Sequence, residues 1–481
     1  MPLNRAKQLL VGLFGGLLLA GCVPLTAPAT PTAPPVSQLE PLLAQKQYAA
    51  AVNLLETAAQ NRPTDPSPLA QTGQIYLQQH RWLLAEDAFN RALARQPANA
   101  LAVAGLAEVQ LNQGKWPQAE ELWQQAAALN PNLPGVFTGL GRTHLFRLDF
   151  NAARAAFLEQ QTRQPDPEAQ WYLAALAAPL DVAQAGQYLA AIPPTATADV
   201  LARRDYLLAA LAPFDSQSPP GEVAQAVGVA LAQAKLWPLA INALETARAQ
   251  TGDKRGADYA RTLAFLAHAL AQTGRPALDM FEEARWLDPA SALPLYFYGL
   301  YLRQKNALKS AELMFAEAIK LDPNNAAFYA ELAQTKVEQG DFVAAEAQFE
   351  AAMGAASHNP EIQMLRVRFY GGRGYRLVEA GIPAAQAIIQ TNPANAEAHA
   401  WLGWMYFLTG QPNKAAPSLR KAIALNPELV SARYWLGRVL EASAPEDAAE
   451  QYRRVVDLDT QGDYRDEALR GLQRLNQTGV K

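Results

Sequence analysis

The chain has 481 residues, half of them hydrophobic and 18% charged, with a formal net charge of −4. That apolar content excludes a disordered chain, and the mild charge, with no basic stripe or acidic tail, argues against nucleic acid as the main partner. Length alone would suggest about three globular domains, but an internal period replaces that expectation with an array that grows by adding units.

At the N-terminus, Arg5 and Lys7 precede an apolar run from Leu9 to Ala20. The run is too short to span a bilayer as a helix and suits a signal peptide. It ends Leu19-Ala20-Gly21-Cys22, and Cys22 is the only cysteine of the chain. A chain without other thiols suits an oxidising compartment. Pro24, Pro28, Pro31, Pro34 and Pro35 follow among Thr and Ala. Such a segment is extended, at about 3.1 Å per residue, and reaches on the order of 40 Å. Residues 1–21 therefore read as a signal peptide and 22–36 as a tether.

From residue 32 the chain is periodic. Pro63, Pro97, Pro131 and Pro165 stand 34 residues apart, and Pro289 to Pro323 and Pro393 to Pro427 repeat the interval. Each closes a unit of two short amphipathic helices joined by a tight turn. In the second helices Ala85 and Ala92, Ala119 and Ala126, Ala311 and Ala318, Ala345 and Ala352, and Ala415 and Ala422 recur seven apart. A large residue lies between the members of each pair: Phe89, Trp123, Phe315, Phe349 or Leu419. Small residues let a neighbouring helix approach, and the large one fills the remaining space. Gly73, Ala107 and Gly141 are the matching small residues of first helices. Residues 32–167 form an N-terminal array. Residues 168–220 lose the register at Pro193-Pro194, Pro213 and Pro219-Pro220; about three helices are expected there, either as a hinge or as diverged repeats. The pattern returns over 221–461. Gly371–Gly374 ends a helix, Gly381-Ile382-Pro383 forces a second break, and Pro417 should bend or delay its helix. Residues 462–481 supply a charged capping helix and tail.

A 34-residue period with this signature resembles the tetratricopeptide repeat family, and the residues around Cys22 resemble the lipobox of bacterial lipoproteins. The first resemblance implies an all-α fold, a right-handed superhelical solenoid of antiparallel helix pairs whose first helices line a concave groove for peptides or partner helices. The second implies acylation of Cys22. The protein would then sit in the cell membrane or outer membrane, lipid-anchored on the extracytoplasmic face, as a scaffold for envelope assembly, secretion or polysaccharide export.

At 100° per residue Leu402, Gly403 and Tyr406 share an inward stripe, while Trp404, Phe407 and Leu408 are turned toward the groove. The corresponding groove candidates are Arg142 and Phe146, Tyr296 and Arg303, and Tyr434 and Arg438. Aromatic residues and arginine are the types enriched at binding hot spots. The other reading of Trp404 and Phe407 is packing against the adjacent first helix. The other reading of the groove is a carbohydrate-binding or enzyme-accessory surface built on its aromatics. The family's two-carboxylate clamp is missing, since Ser67, Ala70, Leu101, Ala104, Ala327 and Ala330 stand at its positions. No catalytic constellation is present: His80, His144, His268, His358 and His399 are scattered, and no His-Glu-x-x-His, nucleophile elbow or phosphate loop occurs. The expectation is a non-enzyme without cofactor or metal.

Overall fold

Proline sets where the repeat helices stop. The computed structural model describes residues 36–356, 359–460 and 462–477. The signal peptide, Cys22, the tether up to residue 35 and His358 lie outside these residues. The helices run α1 (Val36–Ala44), α2 (Tyr48–Asn61), α3 (Ser67–Gln78), α4 (Trp82–Arg95), α5 (Ala100–Asn112), α6 (Trp116–Leu129), α7 (Val136–Arg147) and α8 (Phe150–Arg163). The second helix of each pair ends at Arg62, Gln96, Asn130 or Gln164, all with extended φ between −131° and −150°. Each of these residues precedes a proline, whose ring disfavours the helical region for its neighbour. Side-chain caps start many of the helices, as when Asn99 accepts from the Ala102 N–H and Asp149 from the Ala152 N–H.

Residues 168–220 contribute α9 (Pro167–Ala177), α10 (Val182–Ala190) and α11 (Ala198–Leu211). Then come α12 (Pro220–Gln233), α13 (Trp237–Gln250) and α14 (Ala257–Gln272), which complete a first compact unit ending at Ala277. The second unit starts at Leu278 and holds α15 (Leu278–Leu287), α16 (Ala292–Gln304), α17 (Leu308–Leu321), α18 (Ala326–Gln339), α19 (Phe342–Ala355) and α20 (Pro360–Arg373). It continues with α21 (Ile382–Thr391), α22 (Ala396–Leu408), α23 (Pro412–Leu425), α24 (Val430–Leu440), α25 (Pro445–Leu458) and α26 (Arg465–Gln477). No strand occurs among the described residues.

Within each unit a helix packs on its successor and, across the pair, on the next first helix: α3 on α5, α5 on α7, α16 on α18, α22 on α24. The alanine pairs and the large residues between them make these contacts. Phe89 is fully buried. A methyl at Gly73 would stand 2.5 Å from its ring, and one at Gly105 closer still. Those two glycines come from α3 and α5, so one phenylalanine of α4 locks two first helices. Tyr452 does the same between Gly437 and Gly471, where an added methyl would stand 2.5 Å from its ring in each case.

Pro417 does not delay its helix, and the break expected at Gly381 does not occur. Pro417 lies inside an unbroken α23, because the carbonyl it would have bonded belongs to Asn413, an exposed residue of the first turn that water can serve. Between α20 and α21 the chain is not broken at Gly381 but widened. Leu377–Gly381 forms one π-turn, with the Gly381 N–H reaching the Arg376 carbonyl at 3.1 Å, and it feeds directly into α21.

Candidate functional site

The groove candidates lie on first helices, and the structure brings most of them into contact with the next helix along. In the first unit, Arg142 of α7 makes a two-pronged bond to Glu108 of α5, Nη1 to Oε2 at 3.3 Å and Nη2 to Oε1 at 3.1 Å. Glu108 holds the guanidinium above its ordinary range. The ladder continues into α9 and α11. Burial raises the Glu168 carboxyl, against the pull of Arg142 and Arg203. Arg203 pairs with Asp199 at 2.7 Å and lies 4.7 Å over the Trp171 ring. Thr138, one turn before Arg142 on α7, is buried and donates to Asp166.

Phe146 keeps an exposed ring, but its backbone is spoken for. Arg275, just beyond α14, donates from Nη2 to the Phe146 carbonyl at 3.0 Å, and its guanidinium stands 5.7 Å over the Trp116 ring. The last carbonyls of a helix lack partners within it and carry the negative end of its dipole. A cation placed 129 residues away in sequence therefore caps α7. The helix α13 also packs on α7 and α9, so the first unit folds its later repeats back onto its earlier first helices.

In the second unit Tyr296 is enclosed by Phe328 at 5.2 Å, Phe297 at 5.5 Å and Phe315 at 6.2 Å, and burial pushes its hydroxyl upward. Arg303 is paired with Glu331 of α18 at 2.6 Å. Trp404 stacks on Trp435 of α24 at 5.4 Å and 14°, and Phe407 lies 5.5 Å from it. Trp401 meets the same Trp435 at 4.6 Å. Trp404 and Phe407 thus join the aromatic core between adjacent first helices. Tyr434, expected on the groove face, is 7% exposed and packs on Tyr464 at 5.0 Å. The expectation fails because α26 adds Tyr464 and Glu467 over that end, and the Tyr434 hydroxyl donates to Glu467 at 3.3 Å. Arg438 donates to the same hydroxyl at 3.3 Å and keeps a partly exposed side chain. Most groove candidates are therefore spent on salt-bridge and ring contacts with neighbouring helices, while Leu408 stays exposed and Arg438 partly so. Sequence reasoning missed Trp171, Arg203 and Arg275. Their roles depend on elements far away in the chain, and only the arginine and aromatic types gave any signal.

Among the described residues no cluster of three His, Cys, Asp or Glu side chains could hold a metal ion, and no helix is long and apolar enough to cross a membrane.

Each unit is an all-α solenoid of antiparallel helix pairs. Family models of the tetratricopeptide repeat match residues 70–134, 302–368 and 396–429. The anaphase-promoting complex subunit CDC16 of Saccharomyces cerevisiae is 28% identical over 182 residues, which are 36% of this chain and only 22% of that protein. Among solved structures, yeast Tom70 is 14% identical, covering 92% of this chain and 95% of its own with a TM-score of 0.43. YrrB, a repeat protein described as having an unusual peptide-binding site, is 21% identical over 40% of this chain and 97% of its own, with a TM-score of 0.31. The matched repeats support a scaffold for protein–protein interaction.

Proposed function

We propose that this protein is a lipid-anchored scaffold on the extracytoplasmic face of the cell membrane or outer membrane, where it holds other proteins in place during envelope assembly, secretion or polysaccharide export. The observation that carries the reading is the pairing of a Leu-Ala-Gly-Cys sequence after an apolar run with an array of helix pairs. Acyl chains on Cys22 would give stable attachment where a single chain binds only marginally. The tether would then stand the repeats away from the lipid. Partner proteins or peptides dock along the first helices of the second unit, where Leu408 and Arg438 keep accessible side chains. Aromatic rings spent on one another, such as Trp404 on Trp435, leave few free faces for stacking on a sugar, which favours a protein partner over a glycan.

Two experiments test this. Cells fed a radiolabelled fatty acid should label the wild-type chain and not Cys22→Ser; label on the variant refutes the anchor. A photo-crosslinking side chain placed at Leu408 should capture protein from the envelope fraction. Capture of glycan without protein refutes the proposed partner class.

A further inference from the structure

The prolines that break the repeat register, Pro193-Pro194, Pro213 and Pro219-Pro220, bracket a single helix of the first unit, α11. Before it, α3 to α10 stack each on its successor; after it, α12, α13 and α14 pack on one another, with Leu244, Leu263, Leu266 and Leu270 buried. The joint between these two bodies is not locked as the other repeats are. Ala202, Tyr206 and Ala209 of α11 have the spacing of the small–large–small triplet, yet all three are exposed. The same triplet in α4, α6, α17, α19 and α23 is buried. Arg203 lies over the Trp171 ring of α9 on one side of α11, and on the other the Tyr206 hydroxyl donates to the Ala230 carbonyl of α12 at 2.9 Å. The bodies meet again far from this joint in sequence. There α13 packs on α7 and α9, and Arg275 holds the Phe146 carbonyl and the Trp116 ring. Burial lowers the Arg275 guanidinium, and among the described residues no carboxylate pairs with it. This second contact is slight beside the packing inside either body.

We propose that α12–α14 form a lid on the first unit, closed on α7 and α9, latched by Arg275 and hinged at α11. Hinge motion needs two bodies that keep their own packing and a short connection that absorbs the turn. The proline-flanked α11 is that connection, because its stacking triplet does not fix the angle between its neighbours. Two bodies that share no large apolar interface move relative to one another by default, so a specific latch is needed to hold them shut. Arg275 is that latch: it gives up a helix end and a ring for water, and it takes no part in the stacking of either body. Opening frees the sides of α7 and α9 that α13 covers, so a partner that docks on first helices gains entry as the lid swings. That consequence rests on the scaffold reading proposed above; the hinge itself does not.

Paired spin labels test the hinge. The full chain carrying Cys22→Ser has no other cysteine, so labels attach only where cysteines are placed. Asn151→Cys on α8 with Gln272→Cys on α14, both exposed positions, reports the lid against the body. Gln233→Cys with Gln272→Cys reports distances within the lid. With Arg275 in place the first pair should give one dominant short distance. Arg275→Asp sets a negative charge against the negative end of α7. It should enlarge a longer-distance population about tenfold or more, the effect of losing a charge-assisted hydrogen bond. Arg275→Lys should keep most of the chain closed, and the second pair should be the same in all three backgrounds. A first-pair distribution indifferent to Arg275→Asp overturns the proposal. So does broadening of both pairs together, which is local unfolding rather than a swing. The distances need no partner, so failure of the scaffold reading in the crosslinking experiment above would leave them as expected.

Discussion

Substituting Gly105 by alanine probes how the repeats are locked. Phe89 is fully buried between α3 and α5, and a methyl at Gly105 would fall well inside van der Waals contact with its ring. In the wild-type background the overpacking should cost about 1–3 kcal/mol, against a helix-propensity gain of at most about 1 kcal/mol. Phe89→Ala alone should cost about 3–5 kcal/mol, because the ring leaves a cavity that neighbouring helices fill only in part. In the Phe89→Ala background the methyl has room, so Gly105→Ala should become neutral or stabilising. The two substitutions should therefore couple by about 1–3 kcal/mol. Urea denaturation followed by far-UV circular dichroism and by hydrogen exchange of α3–α5 amides would measure the cycle. Exchange is needed because a solenoid unfolds by parts, and loss can stay local to the first repeats. Costs that add to within about 0.5 kcal/mol would refute the argument that one ring spaces both helices.

Arg275→Met removes the charged cap on α7 while keeping bulk beside Trp116. It should lower first-unit stability by about 1–2 kcal/mol and raise exchange in the last turn of α7, which a wild-type exchange pattern would disprove. Trp404→Ala with Phe407→Ala should lower the melting temperature, since both rings pack on neighbouring aromatic residues; an unchanged melting curve would return them to the open groove. His268 sits edge-on to Trp237 at 5.3 Å, and burial lowers its pKa from 6.5 to about 4. A folded-state pKa below the unfolded one means that the unfolded chain takes the proton first. Stability from this residue is thus full above about pH 6.5 and falls as pH drops toward 4, by about 2 kcal/mol once partial exposure is discounted. Melting curves of wild type and His268→Gln between these pH values should converge on acidification, and parallel curves would contradict the assignment.

Much of the fold was legible in the sequence because stacking is a local, repeated problem. Each closing proline forces its neighbour out of the helix, and each small–large–small triplet states which face must approach another. These constraints act within about 34 residues and recur, so one chain reveals them. The turns were legible only in part. Gly114, Gly340 and Gly410 mark left-handed positions, yet His80, Leu148, Lys235 and Asn306 adopt the same positive φ without a glycine to announce it.

The candidate site was less legible, for a different physical reason. Helical periodicity gives the direction in which Trp404 or Tyr434 points from its own axis, and not what stands there. Trp435 and the capping residues Tyr464 and Glu467 meet them from the next helices. In the first unit the distance in sequence is larger still, with Arg275 closing on Phe146 across 129 residues. By itself the sequence determined the repeat and the residues that stack. Only the tertiary structure decided which outward-looking side chains remain open, because that depends on how successive pairs turn relative to one another, and small rotations at each pair bring distant elements together.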